Sequence, residues 1–479
     1  MQPISFHDFH PQPGEVIEWA VSPDTVATAR SAPADPVVLS YNQELHLRSA
    51  QAAARAGLPG NPWIGATFDI EGPADLDALG SAFESWMRRH ETLRSGFREA
   101  GDHIERFTLP ASEVSLERGP VHAFATVDGL HDHLDERFVQ GTNPLQWPPH
   151  VLGVISRPDR STVFLGLDHV AGDGFSLALA VWELQVSYEA ARDGELPVLP
   201  ATGSFLELCA QERVFGEGIR PDDPALAQWR DFVRACGGTT PTFPLDLGVE
   251  PGQTWPQRIF NQHLLSANEA QALELASKES GGSMFAAQLS AMAIAVREMT
   301  GQQQFRTIIP LHTRHRQTWR TAMGWFITCA PVDFSLEDAA SFADVLPRAQ
   351  ASLQAALRLS RYPAARMIQL LGDDFRVTRR DLFSMVSYTD YRKMPGADRY
   401  HESTPRTIGQ VSVADDCHVW TSRLQDGLHI AIRHPDTATA GEILNEYASH
   451  IREVFVRVAV GGDYRLAASW ACTPHGARM

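Results

Sequence analysis

A chain of 479 residues is long enough for two to four domains of ordinary size, with cores that need no disulfide bonds. Hydrophobic residues make up 43% and charged residues 21%, which is typical of a globular protein and excludes a disordered one. The formal net charge of −17 argues against general binding to nucleic acid or to an anionic membrane surface, because an acidic field repels phosphate.

The cysteine pattern and the N-terminus bear on the cellular compartment. The five cysteines are odd in number, far apart and without a C-x-x-C pair: Cys209, Cys236, Cys329, Cys417 and Cys472. This usage argues against a zinc site and against a secreted disulfide framework. The N-terminus lacks the basic start and the apolar segment of a signal peptide, and no apolar stretch is long enough to span a bilayer. We therefore expect a cytoplasmic protein without a membrane span.

Helix and strand signals alternate through the first half of the chain. Residues 73–97 are predicted to form a helix followed by a strand, because apolar residues recur at helical spacing in the first part of this range. Two runs, 151–156 and 161–169, are separated by Arg-Pro-Asp-Arg and predict a hairpin, with His169 on the same strand face as its apolar neighbours. The apolar stretch 175–191 then predicts a mostly buried helix.

A stretch rich in proline and glycine separates the two halves. Clusters such as GELPVLPATG, RPDDP and GGTTPTFPLDLG occur between 193 and 252, and such clusters mark turns and connections. We therefore predict an N-terminal lobe over residues 1–200 and a C-terminal lobe over residues 201–479.

The second half repeats the alternation of helix and strand. Ser266 and Glu269 form a capping-box pattern that predicts a helix to about residue 277. Gly301 is placed to end a further helix, and Asp426-Gly427 predicts a hairpin turn. The other predicted elements are helices over 283–300, 336–359 and 440–460, and strands over 305–311, 325–334 and 382–388.

The segment DHVAGDG, residues 168–174, lies where the predicted strand ends and the apolar helix begins. We expect Gly172 and Gly174 to allow a tight turn that projects the His169 imidazole into open space. The ordinary pKa of histidine is near neutrality, so this side chain can accept a proton from a hydroxyl or amine group and later return it. Free N–H groups at the start of the helix can stabilise an oxyanion beside it.

Asp173 follows His169 across the same turn. A carboxylate is too weak a base for an alcohol, so we expect Asp173 to hold the loop by pairing with an arginine. The sequence does not choose among Arg94, Arg314 and Arg316 as that partner.

Other motifs of enzyme chemistry are missing from the sequence. We find no G-x-G-x-x-G, P-loop, G-x-S-x-G or H-E-x-x-H pattern, so NAD, ATP, hydrolase-elbow and zincin functions have no support. His131 with His133, and His312 with His315, bring no third ligand at a recognised spacing. We therefore interpret them as surface histidines and predict no metal site.

Five segments, DHVAGDG among them, together resemble the condensation-domain superfamily. That family carries H-H-x-x-x-D-G at a strand-to-helix junction, and its second histidine aligns with His169. RHETLRSGF (89–97), MGWFITCAPV (323–332), LFSMVSYTD (382–390) and the C-terminal HPDTATAGEI are similar to further motifs of the family.

Three details resemble one branch, the polyketide-associated (Pap) acyltransferases. Asp168 replaces the first motif histidine, the segment before Gly324 is rich in arginine, and the chain opens with HDFHPQPGEVIEW. Two departures concern the second lobe. Thr328 stands where many condensation domains have asparagine, and QVSVADD (410–416) occupies the place of the family's D-F-G-W-G.

The resemblance implies an α/β fold of the α+β type. Two chloramphenicol-acetyltransferase-like lobes would form a V with a central tunnel, with the motif histidine halfway along it. The residues that the resemblance assigns to the catalytic motif are His169, Asp173 and Gly174. Those it places along the tunnel are Asp168, Gly324, Trp325 and Thr328. For Gly324 and Trp325, a tight turn and a core tryptophan are an equal alternative.

The resemblance also implies an activity. An acyl group would pass from a pantetheine thioester, on an acyl carrier protein or coenzyme A, to the hydroxyl of a small-molecule acceptor in natural-product or lipid biosynthesis. We expect His169 to be the base, without a metal, a covalent acyl-enzyme or a tightly bound cofactor, in a monomeric enzyme. The alternatives are an amide-forming condensation enzyme and a non-catalytic adaptor that binds a carrier protein.

One group of arginines stands out in this acidic chain: Arg358, Arg361, Arg366, Arg376, Arg379 and Arg380. It is a candidate docking site for an acidic carrier protein or for the phosphates of coenzyme A, above all through Arg361, Arg366, Arg379 and Arg380. The alternative is a solvated surface balanced by Asp373, Asp374 and Asp381.

Overall fold

Helices and strands alternate along the chain in the computed structural model, which describes residues 1–58, 60, 62–250, 252–380, 382–410 and 412–467. The helices are α1 (Pro23–Ser31), α2 (Tyr41–Arg55), α3 (Leu76–Arg89), α4 (Val127–Gly141), α5 (Gly174–Arg192), α6 (Phe205–Glu217), α7 (Pro224–Ala235), α8 (Ala267–Glu279), α9 (Met284–Thr300), α10 (Phe342–Arg358), α11 (Ala364–Leu371), α12 (Tyr400–Ser403) and α13 (Ala438–Gly461). The strands are β1 (Gln2–Ser5), β2 (Glu15–Val21), β3 (Ile64–Glu71), β4 (Ser95–Ala100), β5 (His103–Thr108), β6 (Leu116–Ala123), β7 (His150–Ser156), β8 (Arg160–Leu167), β9 (Trp255–Ser266), β10 (Gln304–His312), β11 (Ile327–Ser335), β12 (Val386–Asp390), β13 (Arg406–Gly409), β14 (Val413–Ala414), β15 (His418–Arg423) and β16 (Gly427–Pro435).

The first compact unit consists of Met1–Ile219, His312–Ile327 and Lys393–Val411. Its main sheet has the strand order β1-β13-β3-β8-β7-β2-β6. Strand β13 is parallel to β1 and antiparallel to β3, so a segment from late in the chain completes this sheet. The units of the structure are therefore interleaved in sequence, whereas the predicted lobes are contiguous.

The core of the first unit explains why β8 and α5 form where they do. The β8 residues Val163, Phe164 and Leu165 are all fully buried, as expected for a strand covered on both faces. Strand β8 pairs with β7 in the predicted hairpin. Helix α3 presents Phe83 and Trp86, both buried, on the face that the spacing predicted, and it packs against α5. The strand that delivers the DHVAGDG segment is thus rigidly held.

The second compact unit consists of Arg220–Leu311, Thr328–Arg392 and Ser412–Met479. Its five-stranded sheet has the order β12-β15-β16-β9-β14, and β10 pairs with β11. Three local predictions are confirmed. The capping box of Ser266 and Glu269 opens α8, Gly301 ends α9 in the left-handed conformation with φ 79°, and the Asp426-Gly427 turn joins β15 to β16.

Three predicted boundaries are wrong, each for a local reason. Helix α10 begins at Phe342 rather than near 336, because Ser341 and Asp344 form its capping box. Strand β12 begins at Val386 rather than at 382, because its pairing with β15 begins at Val386. Strand β8 ends at Leu167, where its pairing with β7 stops, so His169 is not on the strand.

Two further observations concern disulfides and membranes. Four cysteines lie in the described part of the chain and form no disulfide bond there: Cys209, Cys236, Cys329 and Cys417. Cys472 lies outside the described residues. Within the described residues, no helix combines the length and the apolar character needed to traverse a bilayer.

Candidate functional site

The DHVAGDG segment forms a tight turn between β8 and α5 in the first unit. The Ala171 N–H donates to the Asp168 carbonyl at 3.0 Å, and the Gly172 N–H donates to the His169 carbonyl at 3.3 Å. The imidazole of His169 therefore projects from a turn that its own backbone hydrogen bonds hold, and it remains partly exposed.

The two glycines of the turn differ in how closely neighbouring atoms approach them. Neither is among the residues with positive φ in the described chain, so the turn forms without a left-handed conformation at either glycine. A Cβ on Gly172 would lie 3.2 Å from the Cβ of Ser176 and 3.3 Å from Leu167 Cδ1. A Cβ on Gly174 would meet nothing within 4 Å, which leaves open space beside the first residue of α5.

The hydrogen bonding of His169 fixes which ring nitrogen can accept a proton. Its Nδ1 lies 3.2 Å from the Gly172 carbonyl oxygen. Because a carbonyl can only accept, this bond places the proton on Nδ1 and leaves the lone pair on Nε2. Trp325 stacks on the ring at a centroid distance of 4.9 Å and an angle of 27°. The orientation of a general base is thus set by one backbone bond and one stacked ring.

The surroundings of His169 favour its neutral form. Burial lowers its pKa below the ordinary 6.5, and the nearby His46 lowers it further when charged. The carboxylates of Asp168 and Asp173 act in the opposite direction and are weaker. At neutral pH the imidazole is therefore unprotonated, which is the state that a general base requires.

The carboxylate of Asp168 lies inside the protein. The residue is fully buried. His46 Nε2 lies 2.9 Å and 3.0 Å from its two oxygens, and the Val170 N–H donates to Oδ1 at 2.8 Å. The ring of His46, on α2, also packs edge-on against the ring of Trp325, with 5.3 Å between the ring centroids. Sequence reasoning missed His46, because a single histidine on a remote helix carries no motif.

Asp173 is paired with Arg314 and caps α5. Arg314 Nη1 donates to Oδ2 at 2.7 Å and Nη2 donates to Oδ1 at 3.1 Å, and both residues are buried. The Ser176 N–H donates to Oδ1 at 2.8 Å, and the Phe326 N–H donates to Oδ2 at 3.0 Å. These partners hold the pKa of Asp173 below its ordinary value in spite of burial. The carboxylate is therefore an anchor of the turn.

The two other candidate partners of Asp173 are engaged elsewhere. Arg94 donates to the Leu109 carbonyl, and Arg316 pairs with Glu207. The arginine-rich segment thus sends one guanidinium inward to Asp173 and one outward.

The segment around Gly324 is bound to the start of α5. Ser176 Oγ lies 2.9 Å from the Gly324 carbonyl oxygen and 3.2 Å from the Gly324 nitrogen. Gly324 has φ 150°, and a Cβ there would lie 2.5 Å from the ring of Phe205. Only glycine fits at this close approach, and the fit places the adjacent Trp325 over His169.

The start of α5 offers fewer free N–H groups for an oxyanion than the sequence suggests. The Asp173 carboxylate already accepts the Ser176 N–H. The N–H groups of Gly174 and Phe175 precede it and remain the candidates for this role.

A buried histidine, His90, explains the RHETLR motif. His90 Nε2 lies 2.5 Å from Glu183 Oε2, on α5, and Arg89 Nε donates to Glu183 Oε1 at 2.9 Å. The Met323 N–H faces His90 Nδ1 at 3.4 Å. Glu91 accepts the Leu206 N–H at 2.9 Å. This motif therefore ties α3, α5 and α6 to the segment that carries Trp325.

The remaining candidate residues belong to the second unit. Thr328 is buried, where Oγ1 donates to the Tyr362 carbonyl at 2.7 Å and accepts the Ala364 N–H at 3.0 Å. It therefore supports the start of α11. The structure leaves its predicted contact with substrate untested.

Two members of the arginine group form hydrogen bonds within the protein. Arg379 donates to the Asp415 carbonyl at 2.8 Å, and the Arg380 N–H donates to the Asp415 carboxylate at 2.8 Å. Arg361 is exposed and Arg366 is partly exposed. Asp381, one of the acidic residues expected to balance this group, lies outside the described residues.

Comparisons with known proteins identify the family of the chain. The family model for the condensation domain matches residues 63–455. The 2'-acyl-2-O-sulfo-trehalose (hydroxy)phthioceranyltransferase PapA1 of Mycobacterium tuberculosis is 29% identical over 461 residues, which cover 95% of this chain and 88% of that protein. The trehalose-2-sulfate acyltransferase PapA2 of the same organism is 25% identical over 464 residues, which cover 95% and 97%.

A solved structure shows the same fold. The PapA2 acyl transferase superposes with a TM-score of 0.88 at 24% sequence identity, over 96% of this chain and all of that one. The mixed helix-and-strand architecture is thus the fold that the sequence motifs predicted.

Proposed function

Because the chain belongs to the condensation-domain family, we propose that it forms an ester from an acyl thioester and a hydroxyl group. It is an acyltransferase related to the Pap acyltransferases. The observation that carries the proposal is the hydrogen bond from His169 Nδ1 to the Gly172 carbonyl. That bond leaves Nε2 as a proton acceptor on a partly exposed ring at a rigid turn.

The proposed reaction needs one base and no covalent enzyme intermediate. His169 Nε2 accepts the proton of the acceptor hydroxyl while the oxygen attacks the thioester carbonyl. The tetrahedral intermediate then collapses, the C–S bond breaks, and the thiolate takes the proton back from His169. The N–H groups of Gly174 and Phe175 would stabilise the oxyanion. Asp173 and Arg314 hold the turn without touching the reacting atoms.

A hydroxyl acceptor is favoured over an amine. The names of two curated relatives give a sulfated trehalose derivative as the molecule that is acylated, and such sugars offer hydroxyl groups. From these relatives we extend to this chain only the class of acceptor, which is a small-molecule alcohol. For the donor we propose a pantetheine thioester, carried by an acyl carrier protein or by coenzyme A.

Docking of the donor is proposed at Arg361 and Arg366. Their charges suit the phosphates of coenzyme A or an acidic carrier protein. Replacing both with glutamine should raise the KM for the donor with little change in kcat, and added salt should weaken the difference. A donor KM equal to that of the wild type at low salt would remove this part of the proposal.

The test of the proposed function offers matched acceptors to the purified protein. Acyl-coenzyme A or an acylated carrier protein is incubated with a primary alcohol or with the amine of the same skeleton, and mass spectrometry identifies the product. We expect the ester, and we expect His169→Ala to slow its formation by about 10²–10⁴-fold while circular dichroism remains native. Amide formation would establish the condensation alternative. Donor binding without turnover of either acceptor would establish the adaptor.

A further inference from the structure

The turn between β15 and β16 brings together two histidines and an aspartate that the proposed reaction does not use. His263 of β9 and His429 of β16 are paired across the antiparallel strands. Their ring centroids are 4.6 Å apart. Asp426 lies in the turn, and His429 Nε2 lies 3.0 Å from its Oδ1. We propose that His263, Asp426 and His429 bind a divalent transition-metal ion of the zinc type.

The three side chains offer the ligand set that zinc prefers. Each contributes one ligand atom, and these atoms all lie within 4.8 Å of one another. Two imidazole nitrogens and one carboxylate oxygen form a common set of three protein ligands, which leaves a fourth position for water. Small side-chain rotations bring such atoms to the usual ligand distances of about 2.0–2.2 Å from one ion.

The backbone of the turn shapes this cluster. A Cβ on Gly427 would lie 2.5 Å from His263 Nε2 and 1.9 Å from the Leu265 carbonyl oxygen. Glycine therefore permits His263 to lie over the turn. A register shift between Leu428 and His429 places His429 opposite His263.

The charge and exposure of the cluster suit a cation from solution. His263 and Asp426 are exposed and His429 is partly exposed. Asp426 supplies a carboxylate oxygen as the anionic ligand. A bound ion would link β9 to the β15–β16 hairpin.

A second histidine pair provides a matched control. His122 and His133 are 5.6 Å apart by ring centroids, and His133 Nε2 lies 3.8 Å from Glu18 Oε1. Within the described part of the chain, the His263 cluster is the group of three that meets the distance requirement for one ion. His122→Ala should therefore leave high-affinity binding unchanged.

The experiment is a calorimetric titration of the full-length, metal-free protein with Zn²⁺ alone. We expect one site of highest affinity, and its affinity should fall by at least about 10–100-fold in His429→Ala, since loss of a ligand exceeds the usual loss from an outer-shell partner. Asp426→Asn should weaken it less, and His122→Ala should match the wild type. The proposal would be overturned if His429→Ala kept the highest-affinity site unchanged. It would also be overturned if the wild type bound Zn²⁺ no more tightly than the double variant His263→Ala/His429→Ala.

Two measurements keep the result interpretable. Circular dichroism without metal shows whether each variant is folded, and if His429→Ala is not, His263→Gln replaces it with the same expected loss. Electron paramagnetic resonance of bound Cu²⁺ should show coupling to two imidazole nitrogens. Coupling to none would contradict the assignment. Neither readout depends on acyl transfer, so failure of the metal site and failure of the proposed function are distinguishable.

Discussion

The first unit holds two histidines in different ways, the buried His90 at the end of α3 and the partly exposed His169 at the turn before α5. His90 uses both ring nitrogens, one toward Glu183 at 2.5 Å and one toward the Met323 N–H. His169 uses only Nδ1, toward a carbonyl oxygen. Within the described part of the chain, the structure gives its Nε2 no hydrogen-bond partner, and the ring remains partly exposed.

The difference shows what separates a histidine that holds a fold from one that is available for proton transfer. A buried imidazole with a carboxylate partner is fixed, and removing it leaves a buried charge with fewer partners. An imidazole that is oriented by a backbone bond and a stacked ring keeps one basic nitrogen for a substrate. The two histidines differ in their hydrogen-bond partners, and these partners decide the role.

The largest expected effect separates the two histidines by turnover. His169→Ala removes the base, and we expect kcat to fall by about 10²–10⁴-fold. His90→Ala is the matched control, and its turnover per folded molecule should stay within a few fold of the wild type. Steady-state rates with thioester and alcohol, normalised to the folded fraction, measure both. Equal losses in the two variants would erase the distinction.

The next effect concerns the anchor of the turn. Arg314→Leu leaves Asp173 buried without its partner, and we expect the free energy of unfolding at pH 7 to fall by about 3–5 kcal/mol. Because pairing holds the Asp173 pKa below its ordinary 3.8, this contribution is present above pH 3.8 and is lost as pH falls through the lower folded pKa. The deficit should therefore be smaller in acid.

Urea denaturation at pH 7 and in acid measures this deficit. The exposed Arg316 serves as the control, because its pair with Glu207 lies at the surface, and Arg316→Leu should cost about 0–1 kcal/mol. Equal costs for the two arginine variants would show that the buried pair is not the anchor.

A smaller effect tests the structural role of His90. His90→Ala removes one of two partners of the Glu183 carboxylate, since Arg89 remains. We expect a loss of about 1–3 kcal/mol in the free energy of unfolding. His103, an exposed histidine beside Glu105, gives the control, for which His103→Ala should change stability by less than about 0.5 kcal/mol. A stability of His90→Ala equal to that of the control would refute the structural role.

The smallest effect concerns His46 as a positioning residue. His46→Gln keeps a donor for Asp168 but removes the charge that lowers the pKa of His169. We expect kcat to fall by up to about tenfold and the acidic limb of kcat/KM to move to higher pH. A variant with reduced kcat and an unmoved limb would show that His46 acts through packing alone.

Local signals in the sequence predicted much of the fold. The Asp426-Gly427 turn, the Ser266–Glu269 capping box and the Gly301 helix end each involve residues close in sequence, so their geometry follows from short-range chemistry. Apolar spacing alone did not predict where helix α10 begins, because the helix start is set by the N-cap residue Ser341.

Contacts between distant residues set the rest of the site. DHVAGDG identified His169 and Asp173, but nothing local to them selects Arg314, and nothing in α2 marks His46 as the partner of Asp168. The pairing of His263 with His429 was likewise hidden, since β9 and β16 are remote in sequence. Such partners are fixed by the packing of whole elements, which periodicity does not encode.

The pH dependence of kcat/KM in the wild-type protein tests the central claim most directly. If neutral His169 is the base, activity falls only as pH drops through its folded pKa, which burial and His46 hold below 6.5. We therefore expect an acidic limb with a midpoint below pH 6.5, and we expect the residual activity of His169→Ala to lack it. A limb centred above pH 6.5, or one that persists unchanged in the variant, would contradict the account.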